Sequence, residues 1–198
     1  MIVRKASRAI LMAGAASGAL MAAVSASQAG GFINMYQSTT YLGTSFAGIA
    51  APGFSPSGMF INPAIMTEFK GITTENNFSV VMPNVKITGV SGVIPAAVGG
   101  ALPSGDIAQD VLVPASYLII PVGAGFTFGA SLNVPYGSIT KPDIPWGGQL
   151  NSLTTKLKTY TLTPSLAYEI SPQLSVGVGV QIQYMKVSFE SATGAGPN

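Results

Sequence analysis

From Leu174 to Tyr184 the chain alternates without a break. The even positions are Leu174, Val176, Val178, Val180, Ile182 and Tyr184, and the odd ones Ser175, Gly177, Gly179, Gln181 and Gln183. Successive side chains of a strand point to opposite faces, so this spacing predicts a strand with one oily face and one of small or polar groups. The preceding segment follows the same rule, with Tyr160, Leu162, Pro164, Leu166 and Tyr168 set against Thr159, Thr161, Thr163, Ser165 and Ala167. A third strand sets Phe126, Phe128, Ala130, Leu132, Val134 and Tyr136 against Thr127, Gly129, Ser131 and Asn133. Between Tyr160 and Tyr168 a strand rises about 26 Å, or ~20 Å along a membrane normal once tilted by about 40°. That approximates the height of a lipid-facing band between two aromatic girdles.

Two earlier segments are less regular. Phe78 to Thr88 contains Pro83, and its apolar face switches from Phe78, Val80 and Met82 to Val85 and Ile87. Val111 to Ile120 carries Pro114 and alternates poorly. Both are read as strands, because proline is tolerated at bulges and poorly paired positions. The connections between the five strands run long, short, long, short: Val90 to Asp110, a tight turn around Pro121-Val122-Gly123, Lys141 to Ser152, and Ile170-Ser171-Pro172. Outer-membrane barrels distribute outer loops and periplasmic turns in this way.

A soluble β-sandwich also alternates, and composition decides against it. Charged residues are 8% of the chain, against roughly 25% in an ordinary soluble domain. A sandwich would place charges on its outward face, whereas the face opposite the oily one is Gly, Ser, Thr, Asn and Gln. The predicted fold class is therefore all-β, a transmembrane antiparallel barrel. A closed single-chain barrel needs an even number of strands, at least eight, and an open edge in lipid costs several kcal/mol per unpaired group. Five strands are thus expected to be the N-terminal fragment of a larger barrel, stopping in a third outer loop that begins near Ser191.

Charge also marks a leader. Arg4, Lys5 and Arg8 precede an apolar run, Ala9 to Ala23, and then Ser27-Gln28-Ala29. This is the layout of a signal peptide over residues 1–29, cleaved after Ala29. The alternative, a membrane anchor, needs about 20 apolar residues, and this shorter run is interrupted by Gly14 and Gly18. Beyond the leader lie six Lys, no Arg and seven acids, a net 6 − 7 = −1. Such a body offers no electrostatic footprint for nucleic acid. The chain has no Cys and no His, which excludes disulfides, thiolate metal sites and Ser-His-Asp chemistry. No enzyme, metal site or cofactor is expected.

Residues 30–70 show no strand alternation and only two charges, Glu68 and Lys70. So apolar a segment makes a poor linker in water, and it is expected to pack inside the lumen as a plug, ahead of barrel residues 71–198. Asn62-Pro63-Ala64 places an N-cap Asn before a proline at the first helical position, opening a short helix from Pro63 to about Phe69. In the third strand Pro135 removes a ladder donor and Gly137 a side chain, predicting a bulge and a gap in the wall. The competing reading is a strand that simply ends before its loop.

Several of these features resemble one family. They are Gly30-Gly31-Phe32 after the leader, the Ser/Gly/Ala-rich stretch, Asn62-Pro63-Ala64, Val85-Lys86-Ile87-Thr88-Gly89, Phe128-Gly129-Ala130-Ser131-Leu132 and Tyr136-Gly137. In order and spacing the mature chain is similar to the front of the FadL-type outer-membrane transporters of long-chain fatty acids and aromatic hydrocarbons. The resemblance implies a fourteen-stranded barrel closed by an N-terminal hatch. Hydrophobic solutes would be caught at outer loops, pass a pocket beside the hatch, and leave sideways through a kinked third strand.

It further implies that Phe32 sits at the inner pocket, that Asn62, Pro63 and Ala64 form the hatch motif, and that Asn133, Pro135, Tyr136 and Gly137 mark the kink. Phe32 could equally be a hatch-packing aromatic. Pro135 stands where the family pattern has a polar residue. The expected partners are a hydrophobic small-molecule substrate, outer-membrane lipid and the barrel assembly machinery. The function expected is passive transport of hydrophobic molecules across the outer membrane. A structural or adhesive surface protein is the alternative, and a barrel lipase or protease is disfavoured by the absence of His and of a compact carboxylate pair.

Overall fold

The structure is a computed structural model, and it describes residues 33–51, 53–89 and 102–192. The expected signal peptide, residues 1–29, and Phe32 lie outside the described residues. Seven strands form one antiparallel sheet: β1 (Thr73–Val81), β2 (Val111–Gly123), β3 (Phe126–Asn133), β4 (Gly137–Thr140), β5 (Thr154–Ser171), β6 (Leu174–Gly179) and β7 (Ile182–Glu190). They are five staves, because β3 and β4 both pair with β5 from one side and β6 and β7 both pair with it from the other.

The two interruptions differ in kind. Between Gly179↔Ser165 and Ile182↔Leu162 each strand advances three residues, so β6 and β7 stay in register. The pause falls opposite Pro164, which has no N–H to give the ladder, although its carbonyl still accepts from the Val180 amide at 3.0 Å. Between Asn133↔Thr161 and Gly137↔Lys158 one side advances 137 − 133 = 4 and the other 161 − 158 = 3. One extra residue is a bulge, and it exchanges the faces of all that follows. The third strand therefore does not merely end before its loop.

The first strand corrects the sequence reading. It starts five residues earlier than expected and stops before Met82-Pro83; of Pro83–Thr88, Lys86 alone makes a bridge, to Asp106. The tight turns also shift. Pro121, Val122 and Gly123 belong to β2, and the turn residues are Ala124 and Gly125, both with positive φ (51° and 82°), as in a two-residue hairpin whose twist matches its strands. Pro172 and Gln173 join β5 to β6.

The face assignment follows from exposure. Leu162 is 47% exposed and Tyr168 38%, while Thr161 is 1% and Asn133 0%. Bulky apolar side chains thus stand outward and small polar ones inward, the reverse of a soluble two-layer sheet. Phe126 and Tyr168 pack ring to ring at 4.5 Å, and at the other end of β5 Tyr160 pairs with Tyr184. These are the two aromatic girdles.

Residues 34–69 pack on the inward face. They hold a short helix α1 (Thr39–Leu42) and two 3-10 helices, η1 (Pro56–Phe60) and η2 (Pro63–Glu68). Met59, Ile65 and Met66 meet Ala115, Tyr117, Ile119 and Ala167 in the buried core. This explains why β2 alternates poorly: Val113, Ala115, Tyr117 and Ile119 are buried, while Leu112 faces outward. Both of its faces need apolar groups.

Candidate functional site: a gap in the barrel wall

The bulge opens the wall. Pairing of β2 with β3 stops at Ser116↔Leu132, and an isolated bridge joins the two sides again at Ala108↔Thr140. Between these points residues 109–115 pair only with β1, if at all, and β4 pairs only with β5. Eight residues on each side (116 − 108 and 140 − 132) make a window with a nominal height of about 26 Å. A cavity of about 370 Å³ occupies it, with Val111, Leu112 and Pro114 on one side and Val134, Gly137 and Ile139 on the other. Its rim is mostly apolar.

An open edge needs partners for its backbone groups, and the plug segment supplies them. The buried Gln37 side chain donates from Nε2 to the Val134 carbonyl at 2.7 Å and accepts from the Val134 amide at 3.1 Å. It thereby replaces a neighbouring strand. The Asn34 amide donates to the Pro135 carbonyl at 2.6 Å. Asn133 donates from Nδ2 to Gln37 Oε1 at 3.2 Å and to the Tyr117 hydroxyl at 2.7 Å, and Tyr117 donates to the Gln37 carbonyl at 2.8 Å. On the opposite side Thr159 Oγ1 accepts from the Tyr136 amide at 2.9 Å and donates to its carbonyl at 2.5 Å. Asn133, Pro135, Tyr136 and Gly137, read from the sequence as a kink, are thus brought together at one edge of the window.

Gln37, Tyr117 and Thr159 were not legible as site residues: Tyr117 and Thr159 lie where a strand places ordinary side chains, and Gln37 lies in a segment with no alternation to single it out. Replacing Gln37 by Ala leaves the Val134 amide and carbonyl without partners, while Asn133 keeps only its bond to Tyr117. A loss of roughly 2–4 kcal/mol is expected, since each buried unsatisfied group costs about 1–3. Denaturant unfolding of the bilayer-inserted protein, with hydrogen exchange at the Val134 amide, checks this.

A second polar cluster holds the plug to β1. Glu75 Oε2 accepts from Ser55 Oγ at 2.5 Å and from the Ser57 amide at 3.3 Å, while Oε1 accepts from Asn77 Nδ2 at 2.7 Å. Asn77 Oδ1 in turn accepts from the Thr39 amide at 3.0 Å and from its hydroxyl.

Asn62, Pro63 and Ala64 lie elsewhere. Asn62 caps η2, its Oδ1 accepting from the Ala64 amide at 3.1 Å and its Nδ2 donating to the Ala50 carbonyl at 2.8 Å. A Cβ on Gly177 would run into the backbone of Pro63 and Ala64, and one on Gly129 into Met66 and Met59. Two glycines of the inward face are therefore the seats of the plug. Thr67 Oγ1 adds a hydrogen bond to Ser175 Oγ at 2.8 Å. Gly177 pairs with Ala167, six residues along β5 from Thr161, the partner of Asn133, so the two groups of predicted residues are about 20 Å apart along the strand. A cavity of about 400 Å³, lined in part by Asn62, Ala64, Glu68 and Gln173, lies at this short-turn end.

Residues 19–196 match the family described as outer membrane protein transport protein (OMPP1/FadL/TodX). The chain belongs to this family. It is 30% identical over 187 residues to outer membrane protein P1 of Haemophilus influenzae, covering 89% of this chain and 40% of that protein. It is 29% identical over 157 residues to the long-chain fatty acid transport protein of Salmonella typhi, covering 79% of this chain and 35% of that one. The crystal structure of a Pseudomonas aeruginosa FadL homologue superposes with a TM-score of 0.60 at 26% identity, covering 79% of this chain and 38% of its own. The chain therefore spans about two fifths of the length of these FadL-family relatives. The outward oily face and the outer-membrane location of the family agree.

Proposed function

We propose that the full-length protein carries hydrophobic small molecules across the outer membrane and releases them sideways through the window between β2 and β4. The observation that supports this most directly is the unpaired stretch of wall, apolar at its rim and backed by a plug. A plug seated on Gly129 and Gly177 obstructs a route straight down the lumen, whereas the window leads from the lumen into lipid. The free energy of an oily solute falls on transfer from water to lipid by about 25 cal/mol per Å² of apolar surface, so release needs no other energy source.

In this reading residues 30–70 are the hatch and 71–198 the first staves. Asn133, Pro135, Tyr136 and Gly137 keep the wall open, and Asn62, Pro63 and Ala64 fix η2 on its seat beside the short-turn cavity. The substrate class is a long-chain fatty acid or an aromatic hydrocarbon, the former being what the Salmonella typhi relative is named for.

A long-chain fatty acid bearing a diazirine near its tail tests the route in the full-length protein. Photolabelling is expected at Leu112, Pro114, Val134 or Ile139. Labels found only at residues remote from the window would refute side exit while leaving transport itself standing.

A further inference from the structure

The lipid-facing side of the sheet carries a cationic cluster just beyond the outer aromatic girdle. Tyr160 and Tyr184 are cross-strand partners, and the next pair on the same face is Lys158 and Lys186. The pair after that is Lys156 and Ser188. All three lysines are exposed, and they are half of the six that follow the leader. Lys158 lies about 7 Å beyond the girdle and Lys156 about 13 Å. This end of the sheet carries the long loops, so it faces outward from the cell.

Two like charges directly opposite on neighbouring strands repel, with Cβ atoms about 5 Å apart. Among the described residues no acid forms an ion pair with either lysine, although Asp110, across the window, lines the same cavity as Lys158. Among the described residues the one ion pair is Lys70–Glu169, at the opposite end of β5. The nearest acid by register on this face is Glu190, opposite Thr154, and it forms no ion pair. Below the girdle the same face continues as Leu162 and Ile182, then Leu166 and Val178. The pattern from top to bottom is three ammonium groups, two phenols and a column of aliphatic side chains.

We propose that Lys156, Lys158 and Lys186 form a site for the phosphate groups of an anionic lipid of the outer leaflet. Its acyl chains lie along the aliphatic column below Tyr160 and Tyr184. A phosphate between Lys158 and Lys186 converts their repulsion into two charge-assisted contacts, and Ser188 adds a hydroxyl donor toward the phosphate beside Lys156. Lys158 also borders the wall window, so a lipid held here would flank the opening.

The test uses the full-length protein in mild detergent, loaded with a radiolabelled diphosphorylated glycolipid or with the same lipid after phosphatase treatment, and then washed. The wild type and Lys70→Gln are expected to retain the phosphorylated lipid equally and to lose the dephosphorylated one. Lys158→Gln/Lys186→Gln is expected to retain at least about tenfold less, since each juxtamembrane lysine contributes a severalfold increase in affinity. Lys158→Arg/Lys186→Arg is expected to retain it as the wild type does. Heat-modifiable gel mobility reports folding; if the Gln variant does not fold, the comparison of the two lipids on the wild type decides. Equal retention of both lipids, or of the phosphorylated lipid by folded wild type and Gln variant, would overturn the proposal. Displacement by millimolar inorganic phosphate would overturn it too, by showing a site for the free anion.

Discussion

Deleting Pro135 and replacing Gly137 by Val is expected to lower fatty-acid uptake by an order of magnitude or more while the barrel still inserts. The deletion removes the one extra residue between Asn133↔Thr161 and Gly137↔Lys158, so β3 and β4 become a single strand in register. Position 137 then stays outward, opposite Lys158, and Val supplies the wall with the side chain that glycine withholds. Continuing the β2–β3 register from Ser116↔Leu132 brings residues 111–115 opposite the repaired strand, which closes the window with hydrogen bonds. Uptake of a labelled fatty acid, alongside heat-modifiable mobility to confirm folding, measures the outcome. Uptake at the wild-type rate through a closed wall, shown closed by hydrogen exchange at residues 111–115, would eliminate the lateral route.

The second large effect concerns the seat of the plug. Gly177→Val adds three carbons where even a Cβ meets the backbone of Pro63 and Ala64. Backbone cannot swing aside as a side chain can, so the plug must lift. The strand itself accepts valine readily. Overpacking typically costs about 1–3 kcal/mol, and the upper end is expected here. Because the sheet is not what breaks, the loss should appear as protease cleavage within residues 56–69 of the inserted barrel, together with faster entry of a hydrophilic dye. Gly129→Val is expected to be milder, since Met66 and Met59 are flexible and can give way. A Gly177→Val protein with an uncut plug would show that η2 has another place to sit.

How far the sequence reveals all this depends on how many faces of an element carry a contrast. Strands β3, β5 and β6 are plain in it, because one face is oily and the other small and polar throughout. The first half of β1, Thr-Thr-Glu-Asn-Asn, looks like a loop since both of its faces are polar. Glu75 and Asn77 are polar because they bind the plug, an obligation no local pattern discloses. In β2 the opposite holds, with apolar groups required on both sides. Pro135 and Gly137 announced a defect in the wall, but its extent depends on where β2 stops pairing with β3, a register between segments that no single segment encodes. The capping role of Asn62 was legible because it is settled within three residues. The bridging role of Gln37 was not, since its partner lies 97 positions away.

The manner in which Gln37 grips Val134 bears on what kind of cargo can disturb it. On the proposed sideways route, a plain hydrocarbon arriving at that edge would have nothing to trade for an amide or a carbonyl, so it would have to slide past a clasp that stays fastened. A soap's carboxylate or an alcohol's hydroxyl can compete for the Val134 amide and loosen the clasp as it goes by. One fastening would therefore treat solvents and soaps differently, discriminating by chemistry where the opening alone discriminates by size.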